Sequence, residues 1–218
     1  MPSRNASKNS QRWWQTSSQW ESIGLAVLLT IACVVGRLLL DQPNFKPSMA
    51  AAILAGAVLT RWRLAVMVPV VSAMATDLIL GTYELPLMVA VYACMTLPVF
   101  WFRAVEPLTA WLVPFAGKDS RAKRTPSLVL DLALLNLGSV VAAIVFYAVT
   151  SFVVWSATPW YPDGFGGLSL AYWNAIPFLR WMIQGNLVFL NSLAIVWLVY
   201  RTALATVPTN DAQPVLPQ

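Results

Sequence analysis

The 218-residue chain is 58% hydrophobic and 11% charged, carries 14 Lys and Arg against 9 Asp and Glu for a net charge of +5, and has no histidine. Soluble domains usually carry about 25% charged residues, so this composition, with its mean hydropathy of +0.65, is that of a multi-span membrane protein and not of a basic nucleic-acid binder. The lack of histidine excludes His-based catalytic triads, His-ligated metal sites and imidazole proton relays.

Residues 1–20 form a polar, basic segment. The run that follows, IGLAVLLTIACVVGRLLL, is longer than the apolar core of a signal peptide and has no clear small-residue cleavage site, so it reads as a first span. Further apolar segments fall at about 47–60, 63–81, 85–102, 127–155 and 177–200, giving six spans within a membrane domain of residues 21–200. The expected fold is all-α, a polytopic bundle of about six transmembrane helices. The second span, PSMAAAILAGAVLT, is short and built of small residues, and the fifth is long enough to tilt. Pairs spaced by four, Ala32 with Gly36 and Ala52 with Gly56, suggest close helix packing and a surface for a partner helix. Cys33 and Cys94 lie in apolar runs and read as buried, inert thiols.

Residues 103–126 form a linker with the basic cluster GKDSRAKR, and residues 201–218 read as a disordered tail. Six spans put both ends on one side of the membrane. Eleven basic residues (Arg4, Lys8, Arg12, Arg61, Arg63, Arg103, Lys118, Arg121, Lys123, Arg124 and Arg201) fall on that side, and Arg37, Lys46 and Arg180 on the other. Both termini are therefore expected in the cytoplasm of a plasma (inner) membrane.

Asp77 is an acid inside an apolar run, and such residues cost roughly 2.5–3.5 kcal/mol at a membrane centre on insertion scales. In the topology above it lies near the outer end of span three, at a depth comparable with Arg37 in span one. The two can neutralise each other, either as a purely structural pair or as the polar end of a ligand site. At the same level the sequence gathers Asn44, Tyr83, Glu84, Trp155, Tyr161, Tyr172 and Asn186, the makings of a substrate-binding pocket closed by outer loops. No nucleophile stands beside a base, so neither enzymatic catalysis nor a metal or other cofactor is expected.

The motifs GRLLLDQPNFKPSMAAAILAGAVL and AVMVPVVSAMATDLILG, with WYPDGFGGL and AYWNAIPFLRWMIQGNLVF later, resemble a family of uncharacterised bacterial multi-pass membrane proteins. Arg37, Asn44, Phe45, Pro47, Gly56, Pro69 and Asp77 carry the first half of the likeness, and Trp155, Tyr161, Pro162, Gly167, Tyr172, Pro177 and Gly185 are among those carrying the second. It covers roughly residues 25 to 200 and departs from the family's pattern at Ser151, Ala171 and Asn186. That family in turn looks like the substrate-binding S-components of energy-coupling-factor (ECF) transporters. The likeness implies a small-molecule solute bound near the outer face, a transmembrane coupling subunit and partner ATPases, since the chain has no Walker sequence of its own. The alternative reading is a structural or assembly protein that holds a partner through its small-residue helices and the basic 118–124 loop.

Overall fold

The computed structural model describes residues 15–16, 18–105 and 124–206, and the described residues contain helices and no strand. In chain order the helices are α1 (Gln19–Leu39), α2 (Ser48–Val58), α3 (Trp62–Leu80), α4 (Leu85–Thr96), α5 (Arg124–Ala157) and α6 (Gly164–Thr206). A 3-10 turn, Leu97–Phe100, tightens the chain at Pro98 after α4, and the helix resumes through residues 101–105. Five stretches are long and apolar enough to cross a membrane, so the molecule is a helical membrane protein. The basic cluster of the linker, the segment before residue 15 and the tail after residue 206 lie outside the described residues.

Local chemistry fixes the helix ends. Ser18 opens α1 with a capping box: its hydroxyl accepts from the Glu21 amide at 3.0 Å, and the Glu21 carboxylate accepts from the Ser18 amide at 3.4 Å. Gly81, at φ +95, closes α3 in a conformation that a Cβ would strain. The last helix differs from expectation. It begins at Gly164 instead of near 177 and carries Pro177 in its interior, because one missing amide is not enough to end a long apolar helix.

α2 is the centre of the molecule. Its eleven residues rise only about 16 Å, too short to cross a ~30 Å hydrocarbon core unaided, and all eleven are buried. It packs against α1, α3, α4, α5, α6 and the 3-10 turn. Chain segments from both sides complete its reach. Gly36 of α1 lies against Pro47, which opens α2, and the end of α2 receives donors from elsewhere in the fold. The Thr16 amide donates to Val58 O at 3.1 Å, Gln15 Nε2 to Ala57 O at 3.4 Å, and Arg103 Nη2 to Thr60 O at 3.4 Å. A short helix inside a membrane protein needs such partners, since lipid offers its carbonyls none.

Ala52 is fully buried, and any side chain at Gly56 would overlap the Val99 carbonyl. Of the four small residues expected to meet a partner, Ala52 and Gly56 have no surface left, whereas Gly36, which packs on Pro47, and Ala32 stay part-exposed. The physical reason is that a stripe of small residues permits close approach without saying which helix approaches.

Side-chain bonds fix an up-and-down order. Arg61 Nη2 donates to Gln19 Oε1 at one end of α1 and α3, and Arg37 meets Asp77 at the other. α5 and α6 run antiparallel through a reciprocal amide pair, Asn136 with Asn191 at 3.1 and 2.8 Å, and through Asn186 Nδ2 donating to Ser139 O at 3.1 Å. Glu21 and Arg201 pair at 2.8 Å, so the two ends of the described chain meet at the end opposite Arg37.

At 34 and 43 residues, α5 and α6 are about 51 and 64 Å long, against about 31 Å for the 21 residues of α1. Gly185 sits against Phe45 and Lys46 in the loop after α1, so Gly164–Gln184 continues beyond that loop. The α5–α6 hairpin forms a wall standing beside the loops at that end.

Candidate solute-binding site

The ion pair inferred from depth alone is present. Arg37 Nη2 donates to Asp77 Oδ1 at 2.6 Å, and the two side chains are 13% and 3% exposed. Arg37 Nη1 also donates to Thr76 Oγ1 at 2.7 Å, and the Tyr92 hydroxyl donates to Asp77 Oδ2 at 2.9 Å. Asp77 therefore has a donor on each oxygen, and the cluster ties α1, α3 and α4 together. Sequence reasoning missed Tyr92. It lies in the middle of an apolar run, eight residues after Glu84, where only the facing of the helix brings it to the acid.

Beside this cluster, under the loops 40–47 and 81–84, lies a cavity of about 470 Å³. Arg37, Asn44, Lys46, Tyr83 and Asn186 line it together with apolar side chains such as Met49, Met95 and Met182. A second chamber of about 220 Å³ shares Asn44, Phe146, Phe178 and Met182 with the first, so the two adjoin. Tyr147, Trp160 and Tyr161 make its wall aromatic, and Ser151 and Asn174 add polar groups.

Loop 40–47 contributes to both chambers. Asn44 takes the left-handed conformation at φ 58, which Asn tolerates better than most residues, and it faces both chambers. Its neighbour Phe45 anchors the loop on α6: its ring centroid lies 5.2 Å from that of Phe189 and, edge to face, 6.3 Å from that of Trp181. Lys46 donates to the Leu40 carbonyl at the end of α1, where a cation also suits the helix dipole. Burial pulls the Lys46 ammonium below its ordinary pKa; nearby Arg37 pushes the same way, and Asp41 opposes both.

Of the residues singled out in sequence, Arg37, Asn44, Tyr83 and Asn186 line the larger chamber and Tyr161 the smaller. Asp77, Glu84, Trp155 and Tyr172 line neither. Asp77 stands behind Arg37 and holds it. Trp155 Nε1 donates to Pro162 O at 3.2 Å and so fastens the α5–α6 turn, while Tyr172 donates to Ala148 O at 2.7 Å and accepts, through its own carbonyl, from Tyr147 at 2.9 Å. Glu84 is exposed at the start of α4. Phe146, Phe178 and Met182 were missed because an apolar residue in a span looks the same in sequence whether it faces lipid or a cavity.

No curated protein and no solved structure matches the chain. A family model matches residues 17–208, and so takes in every described helix and both chambers. The chain belongs to DUF6580, a family of unknown function.

Proposed function

We propose that this protein is a solute-binding membrane subunit that captures a small molecule in the chambers beside Arg37 and hands it to transport machinery supplied by partner proteins. The observation that carries the reading is the larger cavity. Its volume of about 470 Å³ falls in the range of roughly 300–1,000 Å³ common for small-molecule sites, and its wall is apolar with a few convergent polar groups. It lies at the end of the bundle away from Arg61, Arg63, Arg103 and Arg201, which agrees with a site open to the outer face if the basic end is cytoplasmic. The likeness to S-components of energy-coupling-factor transporters supports the same role by analogy of architecture. Ser151, Ala171 and Asn186, the departures from the family's pattern, all line the chambers, as expected where a solute preference is set. The reading assigns no catalytic step to the chain. The assembly alternative drew on Ala52 and Gly56, which are buried, and on a basic loop outside the described residues.

Native mass spectrometry of the protein gently extracted from its host membrane tests the proposal. A reproducible small-molecule adduct is expected on the wild type and absent from Arg37→Gln and Phe178→Ala proteins that remain folded. A wild-type chain that is always bare would overturn it.

A further inference from the structure

We infer that the chambers select an anion, a small solute bearing a carboxylate or similar oxyanion on a flat apolar body. The inference rests on the solute-binding reading above and names the chemical class that reading leaves open.

Among the described residues, Arg37 and Lys46 are the ionised side chains that line the larger chamber, both are cations, and no carboxylate lines either chamber. Asp77 bonds to the lining residue Arg37, yet its oxygens are taken by Arg37 and Tyr92 and its side chain is 3% exposed. Asp41, Glu84 and Asp163 are exposed on loops and turns at the same end and stay outside both linings. Arg37 engages Thr76 and Asp77 through Nη1 and Nη2, and a guanidinium has five N–H donors, so donors remain for a ligand oxygen. Lys46 gives its hydrogen bond to a carbonyl, and the carboxylate that offsets its charge, Asp41, is exposed and outside both linings. A cationic solute would meet like charge on the lining itself, with the balancing carboxylates Asp77 and Asp41 set behind or outside it, whereas an anion meets donors and opposite charge there. The adjoining aromatic wall of Phe146, Tyr147, Trp160, Tyr161 and Phe178 suits a flat apolar body, which stacks on such rings.

The charge preference can be read without knowing the natural solute. A cysteine is placed at Met182, between the chambers, and in a second protein at the exposed rim residue Thr82. Each is reacted with an anionic sulfonatoethyl and a cationic trimethylammonioethyl methanethiosulfonate, with rates normalised to a free thiol in solution. The native Cys33 and Cys94 are buried, and the parent protein supplies the background. Clefts lined by one sign of charge raise counter-ion concentration about tenfold or more, so the anionic reagent is expected to lead by about that factor at Met182→Cys. The lead should shrink in high salt and in Lys46→Gln, which keeps a donor for the Leu40 carbonyl. Equal rates, or a faster cation, overturn the anion inference and leave the cavity standing. Rim labelling with no reaction at a folded Met182→Cys protein means that the chambers are closed to solutes, and both readings fall. If Met182→Cys does not fold, the same ratio at Thr82→Cys decides the sign. In a last arm, 2-naphthoate should slow labelling more than propionate or 2-naphthamide does; no protection by 2-naphthoate removes the flat apolar body from the inference, and equal protection by the amide removes the charge.

Discussion

Asp77 has a charged donor on one oxygen and a phenol on the other, and that arrangement decides what its loss should do. Breaking a buried ion pair by removing one partner costs about 3–5 kcal/mol, because the other charge stays buried without compensation. Asp77→Asn and Arg37→Gln should each approach that loss. Tyr92→Phe removes one hydrogen bond to a charged group and should cost about 1.5–3 kcal/mol. The double replacement Arg37→Met with Asp77→Leu removes both charges at once and should be less damaging than either single change, since apolar substitutes for a buried pair are often neutral. Thermal unfolding in a neutral detergent ranks the four proteins. A double variant as unstable as the singles would mean that the pair contributes stability of its own beyond mutual neutralisation. Binding should separate from stability in the same set: the double variant keeps its fold while the anionic preference of the chambers shrinks to what Lys46 supplies, because the Arg37 donors leave with it.

Among the helices, α2 shows how far a sequence can be read. Its shortness and its Ala and Gly content were visible in PSMAAAILAGAVLT, and so was the conclusion that neighbours come close. Which neighbours was not visible, since spacing gives a face of the helix and not the direction of that face. The same limit explains why Arg37 with Asp77 could be paired from depth along two helices, while Tyr92, Phe146, Phe178 and Met182 needed the packing. Polar residues in an apolar run announce themselves by cost; apolar ones do not. The burial of α2 gives a direct test. A methyl at Gly56 must displace the Val99 backbone, and overpacking of this kind typically costs about 1–3 kcal/mol, with more expected here because backbone and not a flexible side chain is in the way. A methyl at Gly24, on α1, meets nothing within 4 Å and replaces a poor helix former by the best one, so Gly24→Ala should be neutral or stabilising by up to about 1 kcal/mol. Unfolding midpoints of the two alanine variants should move apart. Equal midpoints would show that α2 is free to shift away from the 3-10 turn.

The whole molecule has two unlike ends, and the difference predicts an orientation. One end carries Arg61, Arg63, Arg103 and Arg201, together with the meeting of Glu21 and Arg201; the remaining seven basic residues assigned to that side lie before residue 15 or at 118–124, in segments that join the bundle there. The other end carries the chambers, the loops 40–47 and 81–84, and the flank of the taller α5–α6 hairpin. Insertion keeps short basic loops in the cytoplasm, so the chambers should open to the outside. Single cysteines at Thr82, in the loop over the larger chamber, and at Arg63, at the opposite end, report this directly, since both positions are exposed. In intact cells an impermeant maleimide should label Thr82→Cys at once and Arg63→Cys only after the membrane is permeabilised. The reverse pattern would turn the chambers toward the cytoplasm, and a protein that captured solutes there would serve export or sensing of an internal metabolite in place of uptake. The anion preference inferred from Arg37 and Lys46 is independent of that result, because it depends on what lines the cavity and not on which compartment fills it.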